Sequence, residues 1–154
     1  MTVAPKKTTK AGTGTAHAPK SLVDKLDIFA IALDSLRTSL DRAEYWNANG
    51  EGEPSTMRRI RSEYKVTEFD KGHIDIEATL YLRVIAEGRE DALLSIDATY
   101  SAHFHPKSPV SRKEAEEFAA GEARLVFWPY FRQIVADTTA RMHIPPLTIP
   151  FVVR

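Results

Sequence analysis

Three stretches in the middle of the chain alternate between apolar and polar residues. They run from Met57 to Phe69, from Ile74 to Ala86 and from Ala92 to Phe104. Successive side chains of a strand point to opposite faces, so the alternation predicts strands with one apolar and one polar face. The sequences Asp70-Lys71-Gly72 and Glu87-Gly88-Arg89 between them are typical of hairpin turns. We therefore predict an antiparallel sheet with one buried and one solvent-exposed face.

The pattern changes to helical after the third strand. Ser111 and Glu114 have the spacing of a capping box, which predicts a short helix that ends near Gly121. A long helix is expected from about Glu122 to Met142, with a kink at Pro129. Four aromatic residues spread around most of its circumference: Phe127, Trp128, Tyr130 and Phe131. Such a helix must be covered on nearly all sides, either as a central core helix on one sheet or between a sheet and a second subunit.

The end of this helix and the tail after it resemble a known family. The segment 128–150 reads WPYFRQIVADTTARMHIPPLTIP. It resembles the hallmark of the SecB family of export chaperones, in which an aromatic-Pro-Tyr step and an arginine begin a helix and a proline-rich segment follows it. The matching positions are Trp128, Pro129, Tyr130, Arg132, Arg141, Pro145, Pro146, Leu147 and Pro150. The Pro-Pro-Leu-Thr form, with little chain beyond it, is more similar to the SecB-like proteins that accompany toxin–antitoxin systems.

The resemblance implies an α+β fold in which a four-stranded antiparallel sheet carries a long C-terminal helix on one face. It implies a single domain over residues 21–154, and a homotetramer, a dimer of dimers, in which two sheets sandwich the helices. The lysine-rich residues 1–20 lack the apolar content needed to offset the entropy cost of ordering, and we expect them to form a disordered basic tail. No function is assigned to this tail.

Periodicity and resemblance disagree about the first element. Apolar residues from Leu22 to Leu40 recur at alternating intervals of three and four, which predicts an amphipathic helix from Ser21 to about Tyr45. SecB-like chains instead have their first strand where Ala32–Arg42 falls. We follow the resemblance and predict a short helix at about 21–29 and then a strand.

The segment from Glu44 to Ser55 is predicted to be a loop because it is rich in Asn and Gly and contains Pro54. In the family this position is a crossover loop that forms one wall of the client-binding groove. Tyr45 and Trp46 would suit that role. The alternative is that Trp46 only fixes the loop to the rest of the domain.

Composition narrows the class of protein. The 154 residues, 43% of them apolar, are enough for one domain. Cysteine is absent, which excludes disulfides, thiolate metal sites and a cysteine nucleophile and is compatible with the cytoplasm. The sequence has neither an apolar run of membrane-spanning length nor a secretory signal, so we expect a cytoplasmic protein with no membrane partner.

Little in the sequence predicts catalysis or a cofactor. There is no nucleophile elbow, phosphate-binding loop or metalloprotease motif, so no enzyme activity is expected. Basic residues on the strands alternate with acidic ones, which disfavours nucleic-acid binding. His73, His103 and His105 are predicted on the polar face, where three imidazoles would converge as a zinc site requires. Few carboxylates are expected near these histidines. We therefore interpret the three residues as ordinary exposed histidines, with no metal.

The sequence has more apolar residues than one core can bury, and this indicates an apolar binding surface. We expect ATP-independent holding of unfolded or partly folded polypeptides, either preproteins for export or a partner such as an antitoxin. The alternative is a non-catalytic adaptor that uses the same surface to oligomerise or to hold one folded partner. The expected client-binding residues are Leu36, Leu40, Tyr45, Trp46, Phe127, Trp128, Tyr130, Phe131, Ile144, Leu147, Ile149 and Phe151. Any of Leu147, Ile149 and Phe151 could equally close the core.

By resemblance, acidic residues on the polar sheet face could dock a translocase motor. The residues that would form this docking surface are Asp75, Glu77 and Asp97. Basic residues on the same face dilute its charge: Arg59, Arg61, Lys65 and Arg83.

Overall fold

A computed structural model describes residues 21–50 and 55–150 of the chain. The expected basic tail 1–20 and the expected client-binding residue Phe151 lie outside the described residues. A 3₁₀ helix at Leu22–Lys25 precedes the first strand. The strands and helices that follow are β1 (Leu26–Leu40), α1 (Arg42–Asn49), β2 (Thr56–Phe69), β3 (Ile74–Ala86), β4 (Ala92–Pro106), α2 (Arg112–Ala120) and α3 (Ala123–Arg141).

The strands form one antiparallel sheet in the order β1-β4-β3-β2. Hairpins join β2 to β3 and β3 to β4, as predicted, whereas β1 crosses over to pair with β4. The inward-facing residues predicted for β3 and β4 are all buried: Ile74, Ile76, Ala78, Leu80, Leu82, Val84, Leu94, Ile96, Ala98, Tyr100 and Phe104. The four-stranded antiparallel sheet with a C-terminal helix on its apolar face is therefore confirmed.

The helix that periodicity predicted from Ser21 to Tyr45 is wrong, and the strand that replaces it is longer than expected. Two bulges explain the misleading pattern. One lies between Ile28 and Ala30 and the other between Leu33 and Ser35, and each inserts one residue into β1. The residues opposite the buried side of β4 therefore fall at uneven intervals: Ile28, Ile31, Leu33, Leu36, Thr38 and Leu40. Such intervals resemble a helical repeat although the backbone is extended.

The predicted loop at Glu44–Ser55 is also wrong in its first part, because α1 occupies Arg42–Asn49. Asp41 caps this helix, and its side chain accepts a hydrogen bond from the backbone N–H of Glu44 at 3.2 Å. Tyr45 from α1 is only 4% exposed and fixes the helix to the core. The spacing of Asp41 and Glu44 was the missed signal, because an acidic cap followed three residues later by Glu is typical of a helix start.

The bounds of the two C-terminal helices agree with the prediction. Ser111 and Glu114 form the capping box at the start of α2, and Gly121 ends that helix. The longer α3 packs on the apolar sheet face, where the Phe127 ring lies 6.0 Å from that of Tyr64 and 6.4 Å from that of Tyr100. Phe131 and Val135, further along α3, are fully buried. This helix covers β2, β3 and β4.

Candidate functional site

The apolar face of β1 is largely uncovered. Ile28, Leu33 and Leu36 are paired with buried residues of β4 and therefore face the same side of the sheet as the core. Their exposed fractions are nevertheless 51%, 44% and 39%. Because α3 packs over the other strands, a strip of apolar side chains is left open to solvent along β1.

The strip continues across a cleft to the C-terminal half of α3. Leu36 and Thr38 line one side of the cleft, which has a volume of about 280 Å³. The other side consists of Ile134, Thr138 and Met142, and charged groups at its rim come from Asp137 and Arg141. We call the apolar face of β1 and this cleft together the β1–α3 groove. It combines an apolar floor with a polar rim.

The backbone of β1 adds a second feature. β1 is an edge strand, and no strand among the described residues pairs with its outer side. An edge strand presents backbone N–H and C=O groups that an extended chain can pair with. The apolar strip and this edge belong to the same strand, so one extended polypeptide could use both.

Only part of the expected client-binding set lies at this groove or on the surface. Leu36 is exposed in the groove and Leu40 is half-buried at the end of β1. Tyr130 is 46% exposed on α3, and its backbone carbonyl accepts a hydrogen bond from the Tyr100 hydroxyl at 3.2 Å. Burial raises the pKa of Tyr100 to about 12, so this hydroxyl remains a donor at neutral pH.

The other expected client-binding residues on α3 and on the tail are placed differently. Phe127 and Phe131 are fully buried against the sheet, and three tail residues are also buried: Ile144, Leu147 and Ile149. These residues form the core rather than an open wall, because α3 lies directly on the sheet and the tail folds back along it. Trp128 is half-buried. A client cannot reach the buried residues in this conformation.

Hydrogen bonds hold the tail against the rest of the fold. The Trp128 indole Nε1 donates to the Pro150 carbonyl at 2.8 Å, and the Arg132 Nε donates to the Ile149 carbonyl at 3.0 Å. The Leu147 N–H donates to the buried Thr139 hydroxyl at 3.1 Å. From β2, Arg58 donates to the Thr148 carbonyl at 3.1 Å. The sequence motif shared by Trp128 and Arg132 therefore has a structural role in this chain.

The two aromatic residues of α1 differ in exposure. Tyr45 is buried, whereas Trp46 is 43% exposed and meets the Tyr45 ring edge-on with 6.3 Å between centroids. The start of α1 lies beside the end of α3, because Arg42 donates to the Met142 carbonyl at 2.8 Å. Tyr45 attaches the helix to the core, whereas Trp46 keeps an exposed face.

The opposite face of the sheet is not an acidic surface. Glu77 lies 2.7 Å from the Lys65 ammonium, and this contact raises the pKa of Lys65. Asp97 forms an ion pair with Arg83. Asp75 contacts two imidazoles, so each acidic residue expected to dock a partner has a basic neighbour. The net charge of this face is correspondingly small.

The histidines converge as their strand positions predicted. The rings of His73 and His103 are stacked with 5.6 Å between centroids, and His105 lies 5.9 Å from His73. One carboxylate lies among them, because Asp75 contacts both His73 and His103. Strand alternation places Asp75 on the same face as His73, which was the signal available in the sequence.

In residues 21–50 and 55–150, no helix is both long enough and apolar enough to span a membrane.

Comparisons with known proteins show the fold. No family model matches the chain, and no curated protein matches it in sequence. A solved structure of the SecB-like chaperone of Mycobacterium tuberculosis, in complex with a ChAD peptide from the HigA1 antitoxin, superimposes with a TM-score of 0.68. The match is 21% identical and covers 85% of this chain and 93% of that chain. A Streptococcus agalactiae protein of unknown function, 14% identical over 82% of this chain and 97% of its own, has a TM-score of 0.44, too low to support an argument. The sheet order, the long C-terminal helix and the extent of the first match together identify this chain as having the SecB-like fold.

Proposed function

We propose that this chain is a molecular chaperone that holds unfolded or partly folded polypeptides in the β1–α3 groove. The observation that carries the proposal is the open apolar strip of β1 beside an edge without a partner strand in the described chain. An extended polypeptide would add its backbone to the edge and insert apolar side chains against Leu33 and Leu36. Contacts of this kind select for an extended apolar segment rather than for one sequence.

The holding function needs no nucleotide. The sequence contains no phosphate-binding loop. Binding by burial of apolar surface and release by competition with folding are sufficient, because each contact is individually weak. We therefore propose ATP-independent holding in the cytoplasm by a non-catalytic protein.

The client that the comparison supports best is a segment of an antitoxin-like partner. The Mycobacterium tuberculosis chaperone with the same fold was solved with an antitoxin peptide. A preprotein for export remains a second client class. For export, the paired acids Asp75, Glu77 and Asp97 would have to exchange their basic partners for a translocase motor.

A second candidate function follows from the same strand. An apolar edge strand is also a suitable contact for another copy of the chain, in a dimer or in a homotetramer built as a dimer of dimers. In that arrangement the protein would be a structural subunit or an adaptor for one folded partner. The two functions differ in whether the groove is open in the free protein.

Light scattering on a sizing column distinguishes the two functions. The purified protein is measured alone and then with a slow-folding polypeptide diluted from denaturant, with and without ATP. Holding predicts a complex that keeps the client soluble at equal yield in both conditions. Leu36→Asp should weaken that complex about tenfold or more, since it places a charge in the apolar contact. Met57→Asp is the matched control, because Met57 is 49% exposed but lies on β2 at the other edge.

If client solubility is the same for Leu36→Asp and for the native protein, the groove is not the holding site. If Leu36→Asp instead changes the mass of the free protein and leaves client binding unchanged, the adaptor function is supported.

A further inference from the structure

On the face of the sheet opposite the groove, three potential metal ligands are held together by strand pairing. Asp75 on β3 is the cross-strand partner of His103 on β4. His73 lies two residues before Asp75, so its side chain points to the same face. One carboxylate oxygen of Asp75, Oδ1, lies 2.5 Å from His73 Nε2 and 2.7 Å from His103 Nδ1. The ladder between two central strands of the sheet thus fixes Asp75 and His103, and His73 lies one residue before β3, where its carbonyl accepts the backbone N–H of Asp70 at 2.9 Å.

The spacing of these atoms fits a metal ion. All three donor atoms lie within 4.8 Å of one another. Bonds of about 2.0–2.1 Å in a tetrahedral site place neighbouring ligand atoms about 3.3 Å apart. The shortest separation between two donor atoms is 2.5 Å, and none exceeds 4.8 Å, so the separations lie on both sides of the tetrahedral value or close to it. Rotations of the side chains would therefore bring the three atoms to bonding distance without a change of the backbone.

The surroundings also suit a cation. The side chain of Asp75 is 13% exposed, and those of His73 and His103 are 32% and 36% exposed, so the donors are partly shielded from water. Glu68 on β2 is the cross-strand neighbour of Asp75 and adds negative charge beside it. His105 stands next to His73, and its Nδ1 lies 3.0 Å from the Gly72 carbonyl oxygen. A carbonyl only accepts, so this Nδ1 carries the proton and supports the turn that holds His73.

We propose that His73, Asp75 and His103 form a binding site for a divalent transition-metal ion, with Zn²⁺ as the fitting ion. Two imidazole nitrogens and one carboxylate oxygen are the donors that zinc prefers, whereas Mg²⁺ and Ca²⁺ prefer sites built from oxygen alone. The fourth position is open to water. The bound ion would replace the contacts of Asp75 with the two imidazoles by three coordinate bonds and would join the start of β3 to the end of β4.

Equilibrium dialysis of the full chain, purified without a polyhistidine tag, tests the proposal with Zn²⁺ as the probe. We expect one ion per chain with a dissociation constant in the micromolar range or below, and a rise in Tm on saturation, because the ion binds the folded chain preferentially. Mg²⁺ and Ca²⁺ should produce no such rise. Co²⁺ in place of Zn²⁺ should give the visible absorption of a tetrahedral site. Acidification should weaken binding, because protons compete for the imidazole nitrogens.

Variants identify the ligands. His73→Asn, His103→Asn and Asp75→Asn should each weaken zinc binding about tenfold or more, since each removes one of three ligands. His143→Asn is the matched control: it removes an exposed histidine at the end of α3, and Asn tolerates the positive φ of 55° there. It should bind like the native chain. Circular dichroism of each variant confirms folding. Absence of saturable binding at micromolar zinc, or native-like binding by a His73→Asn/His103→Asn double variant, would overturn the proposal.

Discussion

The buried hydroxyl of Thr139 is predicted to hold the C-terminal tail onto α3. It donates to the backbone carbonyls of Val135 at 2.9 Å and Ala136 at 3.1 Å, and it accepts the N–H of Leu147 at 3.1 Å. Thr139 itself is fully buried, and the tail residues Leu147 and Ile149 are 6% and 1% exposed. Replacement by valine keeps the size of the side chain and removes only the hydroxyl.

In Thr139→Val the Leu147 N–H loses its partner inside the fold. An unpaired buried N–H costs about 1–3 kcal/mol, and we expect the free energy of unfolding to fall by that amount. In a chain of this length each kcal/mol lowers Tm by about 2–4 °C. Guanidinium denaturation followed by circular dichroism, at one fixed protein concentration, measures the change. The concentration is fixed because association of subunits would also contribute to stability.

Thr138→Val is the control for this experiment. Thr138 is the preceding residue and is 8% exposed, but its hydroxyl makes no hydrogen bond within the described part of the chain. Its replacement should change the free energy of unfolding by no more than about 0.5 kcal/mol. Equal stabilities of Thr139→Val and the native protein would refute the reasoning, because the Thr139 hydroxyl would then contribute nothing to holding the tail.

Three further predictions concern other hydrogen bonds of the helices. Trp128→Phe keeps an aromatic ring but removes the donor to the Pro150 carbonyl, so denaturation should show a loss of about 0.5–1.5 kcal/mol. Ser111→Ala removes the cap of α2 and should cost about 0.5–2 kcal/mol. Hydrogen bonds from the Ser111 backbone and side chain lower the pKa of Glu114, so its contribution is present above the unfolded-state pKa and lost as pH falls through the folded-state pKa. Glu114→Gln should remove this pH dependence of stability.

The sequence predicted the sheet best where one strand face is fully buried. In β3 and β4 each inward residue is buried, so apolar side chains at alternate positions leave a clear period of two. The capping box of α2 was predicted equally well, because its two residues, Ser111 and Glu114, lie only three positions apart in the sequence. The first strand came from the resemblance of segment 128–150, because periodicity alone predicted a helix there. The order of the four strands was not predicted.

The features that could not be predicted from the sequence depend on contacts between residues that are far apart in the chain. Bulges in β1 changed the spacing of its apolar residues, and only pairing with β4 makes that segment a strand. Leu147 and Ile149 were expected either to bind the client or to close the core, and both are buried. Trp128, Arg132 and Thr139 hold the tail through hydrogen bonds that the sequence pattern does not reveal. Burial of Phe127 and Phe131 likewise follows from the position of α3 on the sheet. The open apolar surface therefore lies on β1 and includes Ile28 and Leu33, which were not among the predicted client-binding residues.

Backbone hydrogen exchange with and without an unfolded client tests the β1–α3 groove most directly. The account predicts fast exchange along the outer edge of β1 in the free protein and slower exchange there when the client is bound, because the client pairs with that edge. Protection should extend to the part of α3 that contains Ile134 and Met142, which line the cleft. Client-dependent protection confined to β2 or to the histidine-bearing face, or complete protection of β1 before any client is added, would contradict the account.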